Sequence, residues 1–364
     1  MRKFEPLNVS SKFAICGLPL RVDTYKCCSF ECAYCFSNNR KIMEFHKEVK
    51  VANLISVKKR LERIFINKNY KEENFLDSLI ASGITWHCGG MSDPFQPLEK
   101  DLHITKELID ICNDYNIHIL FSTKSDTVHN SNVRPEFHTF QLSITNVKNL
   151  KSIEPNVPDI TKRLSFFKEL KKEGFKVGVR IQPFIPNISG IEIVKMFEGA
   201  ANFTIEGLKL VPQNKEHKEF LLNELKLSPD DFTQMGLLNL KPEIRLKMYA
   251  PIIQYLKDNK ISYSIADNDL HDMGTNTCCC GDALVYKSTN FNNTYLIKKY
   301  GLKYSQEDLL KELEKSNLGC CKANHLFTSN RQEGCTIVKE FFTKRFSRKS
   351  SPFSPKFLYN NKGE

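Results

Sequence analysis

The sequence predicts an α/β fold: a partial (β/α)6 barrel of the TIM type with a Cys-rich C-terminal extension. Three observations carry that expectation. Short β-branched or aromatic runs alternate with longer stretches of helical periodicity, the pattern of parallel strands joined by crossover helices. Six strand–helix units follow one another in order from about residue 20. After about residue 265 the periodicity weakens and cysteines accumulate, so the barrel pattern ends there.

The six strands are expected at residues 20–25, 84–88, 117–122, 139–145, 176–181 and 204–210. Helices are expected between them at 57–66, 102–115, 159–173 and 191–201. The third is the clearest: Ile160, Leu164, Phe167 and Leu170 recur at helical spacing, the opposite face is Lys-rich, and Gly174 ends it. A later helix opens with Pro242 and runs to about Asn259, and a short strand follows at 262–265. Catalysis in barrels of this kind sits at the C-terminal ends of the strands, so loops after each strand are where chemistry is sought.

Length allows one large domain, or one with a small appendage. The expected division is a barrel core over 1–264, a Cys-rich extension with room for an auxiliary metal over 265–335, and a flexible basic arm over 336–364. The arm holds seven Lys and Arg against two Glu, with Ser and Pro scattered between. Composition is that of a globular protein, 41% hydrophobic and 26% charged, with no apolar run long enough to cross a bilayer. Residues 1–6 lack the apolar core of a secretory signal, so the expected location is the cytoplasm. There the 13 cysteines stay reduced, and clustered ones are better metal ligands than disulfide partners. The net charge of +11 favours a polyanionic partner such as DNA or RNA, although solubility alone also accounts for a surplus of Lys.

Directly after the first strand stands Cys28-Ser29-Phe30-Glu31-Cys32-Ala33-Tyr34-Cys35, three thiols in one loop on the catalytic rim. Three thiolates are one too few to close a [4Fe–4S] cluster, so an iron bound here keeps one open position. A zinc site asks for a fourth ligand close by, and the nearest, His46, lies outside the loop. Cys27 falls outside the spacing and is read as a spectator.

Cys-x3-Cys-x2-Cys with an aromatic before the last Cys resembles the signature of the radical S-adenosylmethionine (SAM) enzymes. The stretch Ser92-Asp93-Pro94-Phe95-Gln96-Pro97-Leu98-Glu99 resembles a block of the spore photoproduct lyase-like (DNA repair photolyase-like) branch of that superfamily. Ser143-Ile144-Thr145, Glu154, Arg163 and the run from Val177 to Pro186 follow in that branch's order. The resemblance covers about residues 20–211. It implies a [4Fe–4S] cluster on Cys28, Cys32 and Cys35, with SAM on the open iron, cleaved reductively to a 5′-deoxyadenosyl radical. It further implies Tyr34 near the adenine, and Ser143, Arg163, Arg180 and Gln182 on the SAM ribose and carboxylate. An Arg suits a carboxylate through its planar fork, while an internal ion pair to Glu154 is the competing fate of either Arg. Gly89-Gly90 would let the backbone approach the SAM ammonium without a Cβ in the way. Lys124 is a further rim candidate. A low-potential electron donor such as flavodoxin or ferredoxin is the implied partner.

Within that branch a Cys at the tip of the second strand returns a hydrogen atom to the substrate. Here Gly90 and Met91 occupy the tip and Cys88 lies earlier, as a hydrogen donor or a buried core thiol. Cys278, Cys279, Cys280, Cys320, Cys321 and Cys335 admit a second iron–sulfur cluster, a zinc site or a redox thiol pair. Adjacent thiols rarely share one metal, so the expected set draws on all three groups. The acids of 266–272, just before them, are candidates for touching substrate. The sequence therefore points to a radical SAM enzyme, lyase-like or modifying, acting on a nucleic acid or nucleobase. A peptide or small metabolite is the alternative substrate, and a non-catalytic zinc or iron–sulfur nucleic-acid-binding protein is the rival class.

Overall fold

A computed structural model of the chain describes residues 1–10, 15–37, 48–70, 73–235, 237–322 and 337–346. Its centre is an eight-stranded sheet made of β2 (Leu7–Val9), β3 (Leu20–Val22), β5 (Trp86–Cys88), β6 (Ile119–Thr123), β7 (His138–Ser143), β8 (Val177–Phe184), β9 (Phe203–Gly207) and β13 (Tyr263–Ile265). Spatial order follows chain order, and every pair is parallel except the antiparallel edge pair β2–β3. Two small ladders flank it: β1 (Arg2–Phe4) with β4 (Lys50–Ala52), and β10 (Lys209–Leu210), β11 (Phe232–Met235) and β12 (Leu237–Leu240). A parallel sheet in sequential order, open between β2 and β13, is a partial barrel, as the sequence predicts. The six expected strands all form, the short strand at 263–265 joins them as a seventh parallel member, and β2 is an edge strand that three residues gave no means to foresee.

Helices α1 (Leu54–Leu61), α2 (Phe75–Ala81), α3 (Glu99–Leu102), α4 (Ile104–Asn113), α5 (Ile160–Lys172), α6 (Ile191–Met196), α7 (Lys215–Glu224), α8 (Pro242–Asp258), α9 (Asn293–Tyr300), α10 (Gln306–Lys315) and α11 (Val338–Phe346) complete the chain. The expected 102–115 helix is broken at His103, which adopts a left-handed φ of 55° between α3 and α4. Burial alternates along the strands. Leu20, Val22, Trp86, Cys88, Phe121, Phe140, Val179 and Ile205 point outward into the main core under the helices, where Phe95, Phe121 and Phe140 pack ring against ring. The alternate positions, Arg21, His87, Ser122, Gln141, Arg180 and Glu206, face inward, so the barrel interior is polar.

One expectation needs correcting here. Part of the presumed flexible arm, Val338–Phe346, is a helix with Val338, Phe341 and Phe342 fully buried, its rings set against Phe291 and Tyr304. The basic residues mask an apolar face at helical spacing that charge counting overlooks. Residues 347–364 lie outside the described ones.

Candidate active site

The inward-facing residues enclose a cavity of about 670 Å³, within the range of small-molecule sites. Gly89, Gly90, Ser143, Arg180 and Gln182, five residues to which the motif resemblance assigns SAM contacts, all line it. Phe36 and Met91 bring the cysteine loop and the second strand tip to the same space. Gly89 has a φ of 98°, and a Cβ there would run into the Ser122 carbonyl oxygen, so only glycine lets the two strand tips come together.

The cysteine loop is held from below by the Asp93-to-Glu99 block. Gln96 Nε2 donates to the Cys27 carbonyl at 2.9 Å, and its Oε1 accepts from Ser29 N at 2.7 Å. Asp93 accepts from Thr123 Oγ1 at 2.7 Å and Lys124 N at 2.6 Å, tying the loop's support to the end of β6. Glu99 is fully buried and accepts from the Tyr25 hydroxyl and from Thr105 N (2.9 Å) and Lys106 N (2.8 Å), which caps α4. The far side of the loop is fastened by Ala33 N to Ile153 O at 2.9 Å and by Asn156 Nδ2 to Ser29 O at 2.9 Å. The block that marks the sequence is thus a clamp for the loop.

Burial pushes the Cys28 thiol well up, reinforced by the charges of Asp93, Cys32 and Cys35, and it pushes Cys32 up to about 12 against the pull of Lys124. The three thiols sense one another, and a bound cation would supply the missing positive charge. Unlike those of Cys278, Cys279 and Cys280, their sulfurs do not all lie within 4.8 Å of one another, among the described residues. Three thiolates on three separate irons of one cube need no such convergence.

Two expected SAM contacts lie elsewhere. The Tyr34 hydroxyl donates to Glu154 and meets Thr145 Oγ1 at 3.2 Å, and its ring is buried beneath Lys124 rather than lining the cavity. Arg163, also buried, donates to Ser143 O at 3.1 Å and lies 3.9 Å from Glu154, which is its competing internal fate. Lys124 Nζ completes the group at 3.0 Å from Glu154. Burial works to raise the Glu154 carboxyl, but Lys124 and Arg163, with the Tyr34 hydroxyl, hold it down at about 2. These residues brace the loop and β7 from outside the cavity.

Arg180 pairs with Glu206 at 2.8 Å, and Lys209 takes the same carboxylate. The Arg21 side chain makes no hydrogen bond or ion pair among the described residues, and its Nε is buried. His87 Nε2 meets Ser122 Oγ at 2.9 Å while Nδ1 has no partner among the described residues; burial, with Arg21 and Arg180 nearby, keeps the ring well below its usual range and neutral. Arg21, Arg180 and Lys209 against Glu206 leave the wall positive, suited to an anionic group. Sequence reading missed Arg21, His87, Glu206 and Lys209. A polar residue between two apolar ones, as in Leu20-Arg21-Val22 and Ile205-Glu206-Gly207, was the available signal.

Cys88 is fully buried in the core on the helix side, adjacent in the fold to Cys112 of α4. The period-two alternation that turns His87 inward turns Cys88 away, so the hydrogen-donor reading does not fit. Cys320 is exposed and Cys321 packs in the main core, neither joining Cys278, Cys279 and Cys280. Cys335 lies outside the described residues.

No protein-family model matches the sequence. No curated protein matches it significantly. Among solved structures, a spore photoproduct lyase variant matches at 16% identity with a TM-score of 0.53, over 71% of this chain and 78% of that one. Spore photoproduct lyase complexed with dinucleoside spore photoproduct matches at 15% identity with a TM-score of 0.53, over the same shares, 71% and 78%. A further variant, with bound AdoMet and dinucleoside spore photoproduct, matches at 17% with a TM-score of 0.50, over 70% and 78%. The chain has the fold of spore photoproduct lyase.

Proposed function

We propose that this chain is a radical SAM enzyme with a [4Fe–4S] cluster on Cys28, Cys32 and Cys35. When bound, the cluster supplies the electron that cleaves SAM to a 5′-deoxyadenosyl radical, which takes a hydrogen atom from the substrate. The chain's own residues orient and exclude. Gln96 and Asn156 hold the loop, Asp93 ties the block beneath it to the end of β6, Gly89 and Gly90 leave room at the strand tip, and Ser143, Arg180 and Gln182 offer polar contacts in the same cavity. The observation that carries the reading is this shared cavity: Phe36, one residue beyond the last loop cysteine, and the polar strand ends open onto one space.

For the substrate we propose an anionic, nucleobase-containing molecule, a nucleic acid or a piece of one. Support comes from the positive cavity wall with its unpaired Arg21, the net charge of +11, and the fold shared with a lyase solved with a dinucleoside. Anaerobic incubation with SAM, reductant and either cell-derived nucleic acid or a metabolite extract, following deuterium exchange into 5′-deoxyadenosine, tests it. Deuterium from labelled nucleic acid is expected; transfer only from the metabolite pool contradicts the substrate class and leaves the radical chemistry standing.

A further inference from the structure

At the end of the barrel interior away from the rim loop, a second set of thiols comes together. The sulfurs of Cys278, Cys279 and Cys280 all lie within 4.8 Å of one another, and Cys279 Sγ is 3.9 Å from Cys16 Sγ. Cys278 Sγ rests against Gly17, where a Cβ would approach it to 3.1 Å. Cys16, Cys278 and Cys280 are buried, and Cys16 and Cys279 both line the cavity.

The backbone around the four sulfurs is tied to the barrel wall. The barrel's inner wall takes the carbonyls: Ser264 Oγ donates to Cys278 O, Thr204 Oγ1 to Cys279 O and Gln141 Nε2 to Cys280 O, each at 3.2 Å. Asp282 accepts from Thr277 N and Cys278 N at 2.9 Å, and Gly281, at a φ of 93°, closes the turn with its N–H on Cys278 O at 3.0 Å. Thr289 N donates to Gly17 O at 2.9 Å and fixes the second half of the site against the first. Seven polar contacts thus hold the two segments, while Cys16 Sγ donates to Leu18 O at 3.3 Å and Cys279 Sγ to Cys16 Sγ, bonds that a metal would replace within an already ordered outer shell.

We propose that Cys16, Cys278, Cys279 and Cys280 bind a single zinc ion, which staples the segment before the first barrel strand to the loop after the last and floors the cavity. Zinc–sulfur bonds of 2.3 Å in a tetrahedron put sulfurs about 3.8 Å apart, close to the observed Cys16–Cys279 separation; Cys16 stands outside the group of three that lie mutually within 4.8 Å, so its side chain would close on the other two sulfurs as the ion binds. Four thiolates on Zn²⁺ carry two surplus negative charges. Arg21 and Arg180 line the same cavity as Cys16 and Cys279 and bring positive charge to that wall. Zinc binding displaces the thiol protons to solvent, with no change of oxidation state. The site joins the two open edges of the sheet, β2–β3 and β13, where a complete barrel would have further strands.

The test uses the full chain with Cys28→Ala, Cys32→Ala and Cys35→Ala, so that no rim cluster contributes. Metal analysis is expected to give about one zinc per chain, and cobalt(II) added after zinc removal is expected to give the intense thiolate charge-transfer and visible bands of a tetrahedral four-sulfur site. Adding Cys16→Ser is expected to speed zinc loss to a chelator at least tenfold, whereas Cys320→Ser leaves it unchanged. Should the Cys16→Ser chain not fold, the cobalt spectrum of the parent carries the test. Chains without metal and without a cobalt spectrum, or iron accompanied by equimolar acid-labile sulfide, would overturn the proposal. The cobalt spectrum does not depend on SAM cleavage, so its failure is separable from failure of the radical SAM reading.

Discussion

Two cysteine sets sit at opposite ends of one polar barrel interior, and they differ in how their backbones are arranged. At the rim, three thiols are spread over an eight-residue loop that is anchored through its backbone by Gln96 and Asn156. At the floor, three consecutive thiols are folded back by a glycine turn and meet a fourth from the far end of the chain. Spread thiolates suit a multi-iron cluster with an open corner, and converged ones suit one closed ion. The same residue type therefore reads as reactive in one place and as structural in the other, by ligand count and spacing.

The largest expected effect comes from the rim. Cys32→Ala should abolish 5′-deoxyadenosine formation, while zinc content at the floor stays near one per chain; simultaneous loss of both metals would mean that the two sets are not independent. Next is the clamp. Gln96→Ala removes the bonds to Cys27 O and Ser29 N, and rim iron retention should fall about 10- to 100-fold with the fold intact by circular dichroism. Equal retention would show that the Asp93-to-Glu99 block serves packing alone. Phe121→Ala, in the core shared by both regions, should cost about 3–5 kcal/mol in denaturant unfolding, without selectivity for either.

How much of this was readable beforehand follows from distance along the chain. The strands were legible because short β-branched or aromatic runs alternate with longer helical stretches, and the rim triplet because its ligands are local. The floor site was half legible: residues 278–280 stand together, but Cys16 is 263 positions away in sequence and nothing local links them. Cys320 and Cys321 were drawn in by composition, whereas the fold gives Cys321 to the core. For Cys88, counting along the strand from His87 decides the face, and a tip position one residue off reverses the conclusion. Arg163 was legible only as one of two fates, and its neighbour Glu154 settles it through Lys124 and Tyr34.

Smaller effects sharpen the contrast at the level of charge. The Glu154 carboxyl falls from its ordinary 4.5 to about 2 in the folded chain, so its contribution is full above pH 4.5 and is lost as pH drops through 2. Lys124→Met should therefore move acid unfolding to higher pH, measured by tryptophan fluorescence of Trp86; an unchanged midpoint would mean that Lys124 is not the counter-charge. Arg21→Gln should leave SAM cleavage without substrate unchanged and weaken nucleic-acid binding, reducing the salt slope by about one. An unaltered slope would remove Arg21 from the substrate site.

The central claim is that the rim loop, and not the floor, performs the chemistry. Its most direct measurement is 5′-deoxyadenosine formed by the anaerobically reconstituted full chain with SAM and a one-electron reductant, set beside the Cys28→Ala, Cys32→Ala, Cys35→Ala chain and the Cys16→Ser chain. The account predicts product from the unmodified and Cys16→Ser chains and none from the triple variant. Product from the triple variant at the unmodified rate, or none from the unmodified chain carrying a full complement of iron and sulfide, would contradict it.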